Sequence, residues 1–245
     1  VLGELELGYR ITRSKIIAIT GTNGKTTTTT LVGEILKNDG RDAAVAGNIG
    51  LPVIQIGDKR PAGSYLVLEV SSFQLETIET FKPFISVILN VTEDHLNRHG
   101  NFENYIKAKY RIFENSDSND YVVINVDDPV LKDVPALTRA QTIMFSSKNH
   151  LDKGVFVKND VVVVDDGNRI YPVCKTKDIG IKGMHNLENT LAAVAVAWLC
   201  DTNFNSLAET LKSFQGVEHR LEYVDTINGI RFVNDSKGTN PDAAS

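Results

Sequence analysis

One stretch constrains the fold of this chain more than any other, the residues from Lys15 to Leu36. Its apolar run Ile16-Ile17-Ala18-Ile19 reads as a strand buried on both faces, predicted over Lys15–Thr20. Gly21-Thr22-Asn23-Gly24-Lys25-Thr26-Thr27 follows. Then Leu31, Val32, Ile35 and Leu36 take helical spacing in a helix predicted from about Thr26 to Asn38 and ended by Gly40. A strand that passes through a glycine turn straight into a helix aims converging backbone N–H groups, at the positive end of that helix, toward an anion. A lysine closing such a turn reaches the outer phosphates of a nucleotide, and the hydroxyl after it suits Mg²⁺. Gly21 to Thr27 is therefore read as the phosphate cradle of a nucleoside triphosphate, with Lys25 and Thr26 in those two roles. The common form of the loop has a glycine five residues before its Gly-Lys pair, where this chain has Ile19, so the loop is a shortened variant. The competing reading, that Thr26 and its neighbours only cap a helix, does not account for Gly-Lys-Thr falling at a strand-to-helix junction.

Further along, strands are predicted at Tyr65–Val70, Ile85–Val91 and Tyr121–Val126, with a helix at about Phe102–Glu114. Strands that are apolar throughout, separated by helix-length segments, imply right-handed crossovers and a mostly parallel sheet covered on both faces. The expected architecture is thus an α/β domain of the P-loop type. The pattern changes at Gly154–Val173, where Val155–Val157, Val161–Val164 and Ile170–Val173 are split by Lys158-Asn159-Asp160 and Asp165-Asp166-Gly167-Asn168. Those are hairpin signals, and they predict a small antiparallel element. Helices follow at about Leu187–Cys200 and Ser206–Phe214. Residues 1–14 show no sustained period and read as an incoming linker, leaving 15–216 as the central domain. After Gly216 a strand pair turns at Asn228-Gly229, so 217–245 reads as the first strands of a further, truncated α/β domain.

The bulk numbers narrow the partners. Lys plus Arg number 26 against 31 Asp plus Glu, and a net charge of -5 offers no basic field for nucleic acid. Cys174 and Cys200 lack metal-ligand spacing and are read as structural thiols of a reducing compartment. The most apolar stretch, Leu191–Cys200, is far shorter than the roughly 20 residues a membrane-spanning helix needs. A cytoplasmic protein without a membrane partner is expected.

Glu69 stands near the end of a strand that otherwise reads as buried, and Ser71, Ser72 and Gln74 follow it. A carboxylate there is costly unless paired or bound to a metal, and the C-terminal strand edge of a parallel sheet is where ligands sit. Glu69 is therefore a candidate Mg²⁺ ligand. The next strand ends in Thr92-Glu93-Asp94-His95, which brings His95 to the same edge; Glu93 reads as a solvated charge. Lys107, Lys109 and Arg111 on the following helix read by default as a solvated face.

Taken together, these segments resemble the central ATPase domain of the Mur ligases, the amide-forming enzymes of peptidoglycan precursor synthesis. The resemblance rests on Gly21 to Thr26, Gly47-Asn48-Ile49-Gly50, Leu68 to Glu76, Asn90 to His95 and His185-Asn186-Leu187-Glu188-Asn189, in that order. Asn234-Asp235-Ser236-Lys237-Gly238-Thr239-Asn240 is similar to the member that adds D-glutamate to UDP-N-acetylmuramoyl-L-alanine. The family's phosphate loop lacks the first glycine of the usual pattern, so the Ile19 departure is expected. By resemblance, residues 1–14 lead in from a UDP-substrate domain, Thr26 and Glu69 hold one Mg²⁺, and His95 and Lys109 serve a second. The family's lysine at the Lys109 position is carbamylated. Asn48, Ser71 and His95 face the UDP-sugar, and Asn186 and Asn189 contact adenine, although helix capping would otherwise explain both asparagines. Arg220 and Asp235 complete the nucleotide site, and Lys237 and Thr239 lie toward the amino acid. The resemblance further implies an ATP-dependent, monomeric ligase. The rivals are another Mur-type ligase, a folylpolyglutamate synthetase, or a non-catalytic nucleotide-binding protein on this scaffold.

Overall fold

The computed structural model describes residues 2–217, 222–234 and 236. Arg220, Asp235, Lys237 and Thr239, expected at the nucleotide and amino-acid sites, lie outside the described residues. In chain order the first half comprises α1 (Glu4–Ile11), β1 (Lys15–Thr20), α2 (Lys25–Asn38), β2 (Ala43–Gly47), α3 (Val53–Ile56), β3 (Tyr65–Glu69), α4 (Ser72–Leu75), β4 (Ile85–Ile88), α5 (Leu96–His99) and α6 (Phe102–Tyr110). The second half comprises β5 (Tyr121–Asn125), α7 (Val134–Leu137), β6 (Gln141–Ser146), β7 (Gly154–Lys158), β8 (Val161–Asp165), β9 (Ile170–Lys175), α8 (Met184–Leu199) and α9 (Phe204–Ser213), then the hairpin β10 (Glu222–Ile227) and β11 (Ile230–Asn234).

Among the described residues β1 to β9 form one sheet in the order β2-β3-β1-β4-β5-β6-β7-β8-β9. Its pairings are parallel from β2 through β7, and those of β8 with β7 and with β9 are antiparallel. The predicted hairpin element therefore extends the main sheet rather than standing apart from it. Alternation along each strand sends residues to opposite faces. Ile17, Ile19, Val67, Ile85 and Val87 enter one core with α2, α8 and α9, while Ile16, Ala18, Leu66, Leu68 and Ile88 enter the other with α1, α4 and α6. That two-sided burial explains why these strands read as continuous apolar runs.

Two strands escaped the sequence reading, β2 and β6. The first is Ala-Ala-Val-Ala-Gly, too small to carry a β-propensity signal, and the second is bounded by Gln141 and Ser146. The segment expected as a linker also contains a helix, α1. Its apolar residues ring the helix: Leu5 is buried while Leu7 and Ile11 are exposed, so no single-face period shows in the sequence.

A buried carboxylate holds α1 in place. Glu6 accepts hydrogen bonds from the backbone N–H of Glu79 (2.9 Å), Thr80 (3.1 Å) and Phe81 (3.0 Å), from Thr80 Oγ1 (2.5 Å) and from Arg10 Nε (2.7 Å). Burial alone would raise its pKa, but the bonds from Thr80, Glu79 and Arg10 outweigh it and bring the group from 4.5 to about 2. A folded pKa below the unfolded one means stability that is present above about pH 4.5 and is lost as pH falls toward 2. The shift corresponds to roughly 3 kcal/mol. Urea titrations of wild type and Glu6→Gln are expected to differ by about that much at pH 7 and to converge only as pH falls below about 2; equal stabilities at pH 7 would refute the role.

Candidate functional site

The chain leaves β1 for β2 and β3 on one side of the sheet and for β4 on the other, so the C-terminal ends of β1 and β4 form a topological switch point, where open α/β sheets place their ligands. The phosphate loop occupies that crevice. Ile19 lies in register with Glu69 of β3, and Thr20 with Ile88 of β4. The position that carries glycine in the common loop is therefore still a paired strand residue, and the turn is confined to Gly21–Gly24. Gly24 takes φ +83° immediately before α2 begins, and a Cβ there would lie 2.1 Å from Asn189 Oδ1. For an L-residue the left-handed conformation costs about 1–2 kcal/mol, to which that collision adds. Gly24→Ala is expected to weaken nucleotide binding roughly tenfold in a fluorescent-ADP titration; unchanged affinity would show that the loop tolerates a side chain.

Residues after β4 knit the loop in place. Asn90 O accepts from Thr22 N (2.9 Å), Asn90 Oδ1 accepts from Asn23 N (2.8 Å), and Asn90 Nδ2 donates to Asn23 O (3.2 Å). Thr22 Oγ1 donates to Thr92 O (3.1 Å) and accepts from Thr92 N (3.0 Å). The role of Asn90 was missed as an individual residue. Its signal was an amide directly after an apolar strand, at the sheet edge where the loop sits.

Two lysines converge on one carbonyl of the loop. Lys25 Nζ donates to Gly21 O (2.9 Å) and Thr22 O (2.7 Å), and Lys109 Nζ donates to Gly21 O at 2.7 Å. Lys109 is 1% exposed, which corrects its default reading as part of a solvated face. Its amine lies 4.6 Å from the Tyr105 ring centre. Burial, then the charge of Lys25, hold its pKa well below the ordinary lysine value, with Asp94 pulling the other way. Tyr105 is itself buried, and its hydroxyl, raised to about 12 by burial, sits 3.3 Å from Thr22 Oγ1.

Beside the lysines, Thr26 Oγ1 donates to Glu69 Oε2 (2.7 Å) and Asn48 Nδ2 donates to Glu69 Oε1 (2.9 Å). The sequence-predicted Thr26, Glu69 and Asn48 thus form one hydrogen-bonded cluster, with the carboxylate 3% exposed. A hydroxyl and a carboxylate are oxygen donors of the kind a hard cation takes. Among the described residues no three His, Cys, Asp or Glu side chains gather around a metal position. The buried Thr20 Oγ1, at the end of β1, has no hydrogen-bond partner among the described residues.

His95 caps α5 in the left-handed region at φ 52°, with its ring 5.0 Å from that of Phe73 and 6.5 Å from that of Tyr105. It reaches the lysine pair through Tyr105. Ser71 closes a capping box with Gln74 at the start of α4. Asn186 and Asn189 do not cap α8, whose N-cap is Gly183. Asn189 Oδ1 accepts from Thr28 Oγ1 (3.2 Å), and Asn189 Nδ2 donates to Asn186 Oδ1 (3.3 Å), which ties the first turns of α8 to α2. Thr27 is buried in the first turn of α2.

A glycine loop at the switch point of a mostly parallel sheet, with a lysine and a hydroxyl opening its helix, defines a P-loop-type α/β fold. Residues 19–197 match the family described as Mur ligase middle domain, and the chain belongs to the Mur ligase family. The chain is 53% identical over 246 residues to the UDP-N-acetylmuramoylalanine--D-glutamate ligase of Caldicellulosiruptor bescii, and 50% identical over 244 residues to that of Pelotomaculum thermopropionicum. Each alignment covers 100% of this chain and 54% of the relative, so the chain spans about half the length of these proteins. Among solved structures, MurF ligase of Thermotoga maritima in complex with ADP superposes with a TM-score of 0.71 at 22% identity, over 98% of this chain and 57% of that one. MurF of Acinetobacter baumannii gives 0.73 at 20% identity over 98% and 55%. Both share the fold.

Proposed function

We propose that this chain carries the ATP-binding part of an ADP-forming ligase that joins D-glutamate to UDP-N-acetylmuramoyl-L-alanine, as a monomer in the cytoplasm. The observation that carries this reading is the convergence of Lys25 and Lys109 on Gly21 O, beside the Thr26–Glu69 pair, at the mouth of the phosphate loop. The names of relatives at 50–53% identity support the choice of substrates. Residues 15–216 would form the central domain, with 1–14 and 217–245 leading to its neighbours.

In this reading the γ-phosphate takes the place of the loop carbonyls on Lys25 Nζ, and backbone N–H groups between Gly21 and Thr27, other than those of Thr22 and Asn23 that Asn90 engages, hold the phosphate chain. Thr26 and Glu69 would hold one Mg²⁺, and His95 and Lys109 a second. Bound there, Mg²⁺ neutralises charge on the phosphate oxygens. The carboxylate of the alanyl nucleotide, oriented by Asn48 and Ser71, attacks the γ-phosphorus and expels ADP. The acyl phosphate so formed is then attacked by the amine of D-glutamate, which loses a proton, forms the amide and releases phosphate. Lys237 and Thr239 would face that amine's carrier, while Asn186, Asn189, Arg220 and Asp235 would complete the nucleotide site. No side-chain nucleophile is required, and positioning carries the catalysis.

Burial and the charge of Lys25 favour the neutral amine of Lys109, and the neutral form is the one that adds CO₂ with loss of a proton to become a carbamate. That exchange converts a nitrogen donor into an oxygen ligand suited to a hard cation. An ADP-release assay on the full-length protein with the alanyl nucleotide and D-glutamate, L-glutamate or L-lysine tests the substrate assignment. Turnover with D-glutamate is expected, and turnover with L-lysine alone would sink it.

A further inference from the structure

Beside the proposed site lies a cluster with no role so far. Ser72, the first residue of α4, places Oγ 3.0 Å from His99 Nε2, and His99 Nδ1 lies 3.5 Å from Glu76 Oε1. A serine, a histidine and a carboxylate in contact in that order is the arrangement that activates a hydroxyl nucleophile, so a hydrolytic reading comes first. The surroundings oppose it. Ser72 is 3% and His99 9% exposed, which leaves no approach for an acyl group, and the Glu76 carboxylate is engaged by Arg98 Nη2 at 2.8 Å. A group sealed this way holds other groups rather than reacting.

What it holds is specific. The His99 ring stacks on Phe73 of α4, at 5.5 Å and 14°, and packs against Tyr105 of α6 at 5.2 Å. Its backbone N–H donates to His95 O (3.1 Å). One side chain therefore bridges α4, which begins three residues after Glu69, and α6, which carries Lys109 one turn beyond Tyr105. It also ends the short helix that begins after His95. The Glu76 carboxylate on the Nδ1 side favours the tautomer with its proton on that nitrogen, in which Nε2 accepts from the Ser72 hydroxyl.

We infer that His99 is a positioning residue that fixes the Glu69 and Ser71 side of the metal and substrate site against the His95 and Lys109 side, through its bond to Ser72 and its packing on Tyr105. This rests on the functional reading above.

The test uses full-length His99→Phe, which keeps the stack and loses the bond, His99→Gln, which can keep the bond, Ser72→Ala, and the Ser72→Ala/His99→Phe pair. The readout is the Mg²⁺ concentration for half-maximal ADP release, with kcat, the KM for ATP and Tm recorded alongside. Removing an outer partner of a metal site typically costs 10–100-fold, so His99→Phe is expected to raise the Mg²⁺ requirement about tenfold with KM for ATP within about twofold. Ser72→Ala should match it, the double variant should be no worse, and His99→Gln should recover to within about threefold of wild type. A merely structural role would lower Tm and leave the Mg²⁺ requirement unchanged, and that result overturns the inference, as would effects of the two substitutions that multiply. If His99→Phe does not fold, Ser72→Ala and His99→Gln decide by the same criterion. Wild-type protein without D-glutamate-dependent ADP release would instead overturn the ligase reading; Mg²⁺-dependent binding of fluorescent ADP by the same variants then decides the role of His99.

Discussion

Lys25→Ala in the full-length protein is expected to lower kcat about 10³-fold or more, with the KM of the alanyl nucleotide within a few-fold of wild type. The size follows from what the lysine does. Removing one preorganised donor from a site of developing charge costs about 10²–10³ in rate, and a cation on a transferring phosphoryl group can be worth more. The structure locates that donor at the loop: Nζ is held by two loop carbonyls, Gly21 O and Thr22 O, in the first turn of α2, and exchanging those bonds for the γ-phosphate keeps it at the mouth of the turn. Lys25→Arg should not restore the rate, because a planar fork cannot reproduce a point charge seated between two carbonyls. Rapid-quench measurement of acyl phosphate, trapped by reduction, would check this. Near-normal accumulation in Lys25→Ala would remove the lysine from phosphoryl transfer.

Lys109→Ala is the second large effect, expected at about 10²-fold in kcat. Two observations make it more than the loss of a buried stem. The amine is almost fully enclosed, and burial together with Lys25 favours its neutral form, the only form that can take up CO₂. If an oxygen ligand is what the position supplies, a small carboxylate filling the vacated space should restore part of the rate of Lys109→Ala, and a small amine should not. Measuring kcat against acetate and against methylamine separates the two. Rescue by methylamine alone would show that the ammonium itself acts.

Much of this was legible locally. The phosphate loop declares itself because strand, turn and helix are adjacent in sequence, and Glu69 because a carboxylate is out of place in a strand otherwise buried on both faces. Lys109 was not legible by composition, since a lysine on a surface helix is ordinarily solvated. A positional signal existed, however. Tyr105, Ala108, Lys109 and Ile112 fall at the i, i+3, i+4, i+7 positions of one stripe, and all four are buried. The lysine occupies a core position of its helix. The partners of Asn90 and His99 were not legible from sequence, because Asn23 and Ser72 are brought to them by the crossovers rather than by local spacing. The helix α1 stayed hidden for another reason: a buried charge, Glu6, anchors it beside Leu5, while Leu7 and Ile11 are exposed.

The proposed chemistry predicts where one atom goes. When the alanyl nucleotide carries heavy oxygen in its carboxylate and the full-length protein turns it over with ATP and D-glutamate, the released phosphate should contain one labelled oxygen per amide formed, because the carboxylate oxygen bridges to phosphorus before the amine displaces it. Mass spectrometry of that phosphate is the most direct test. Phosphate free of label would contradict an acyl phosphate and, with it, the role assigned to the loop from Gly21 to Thr27.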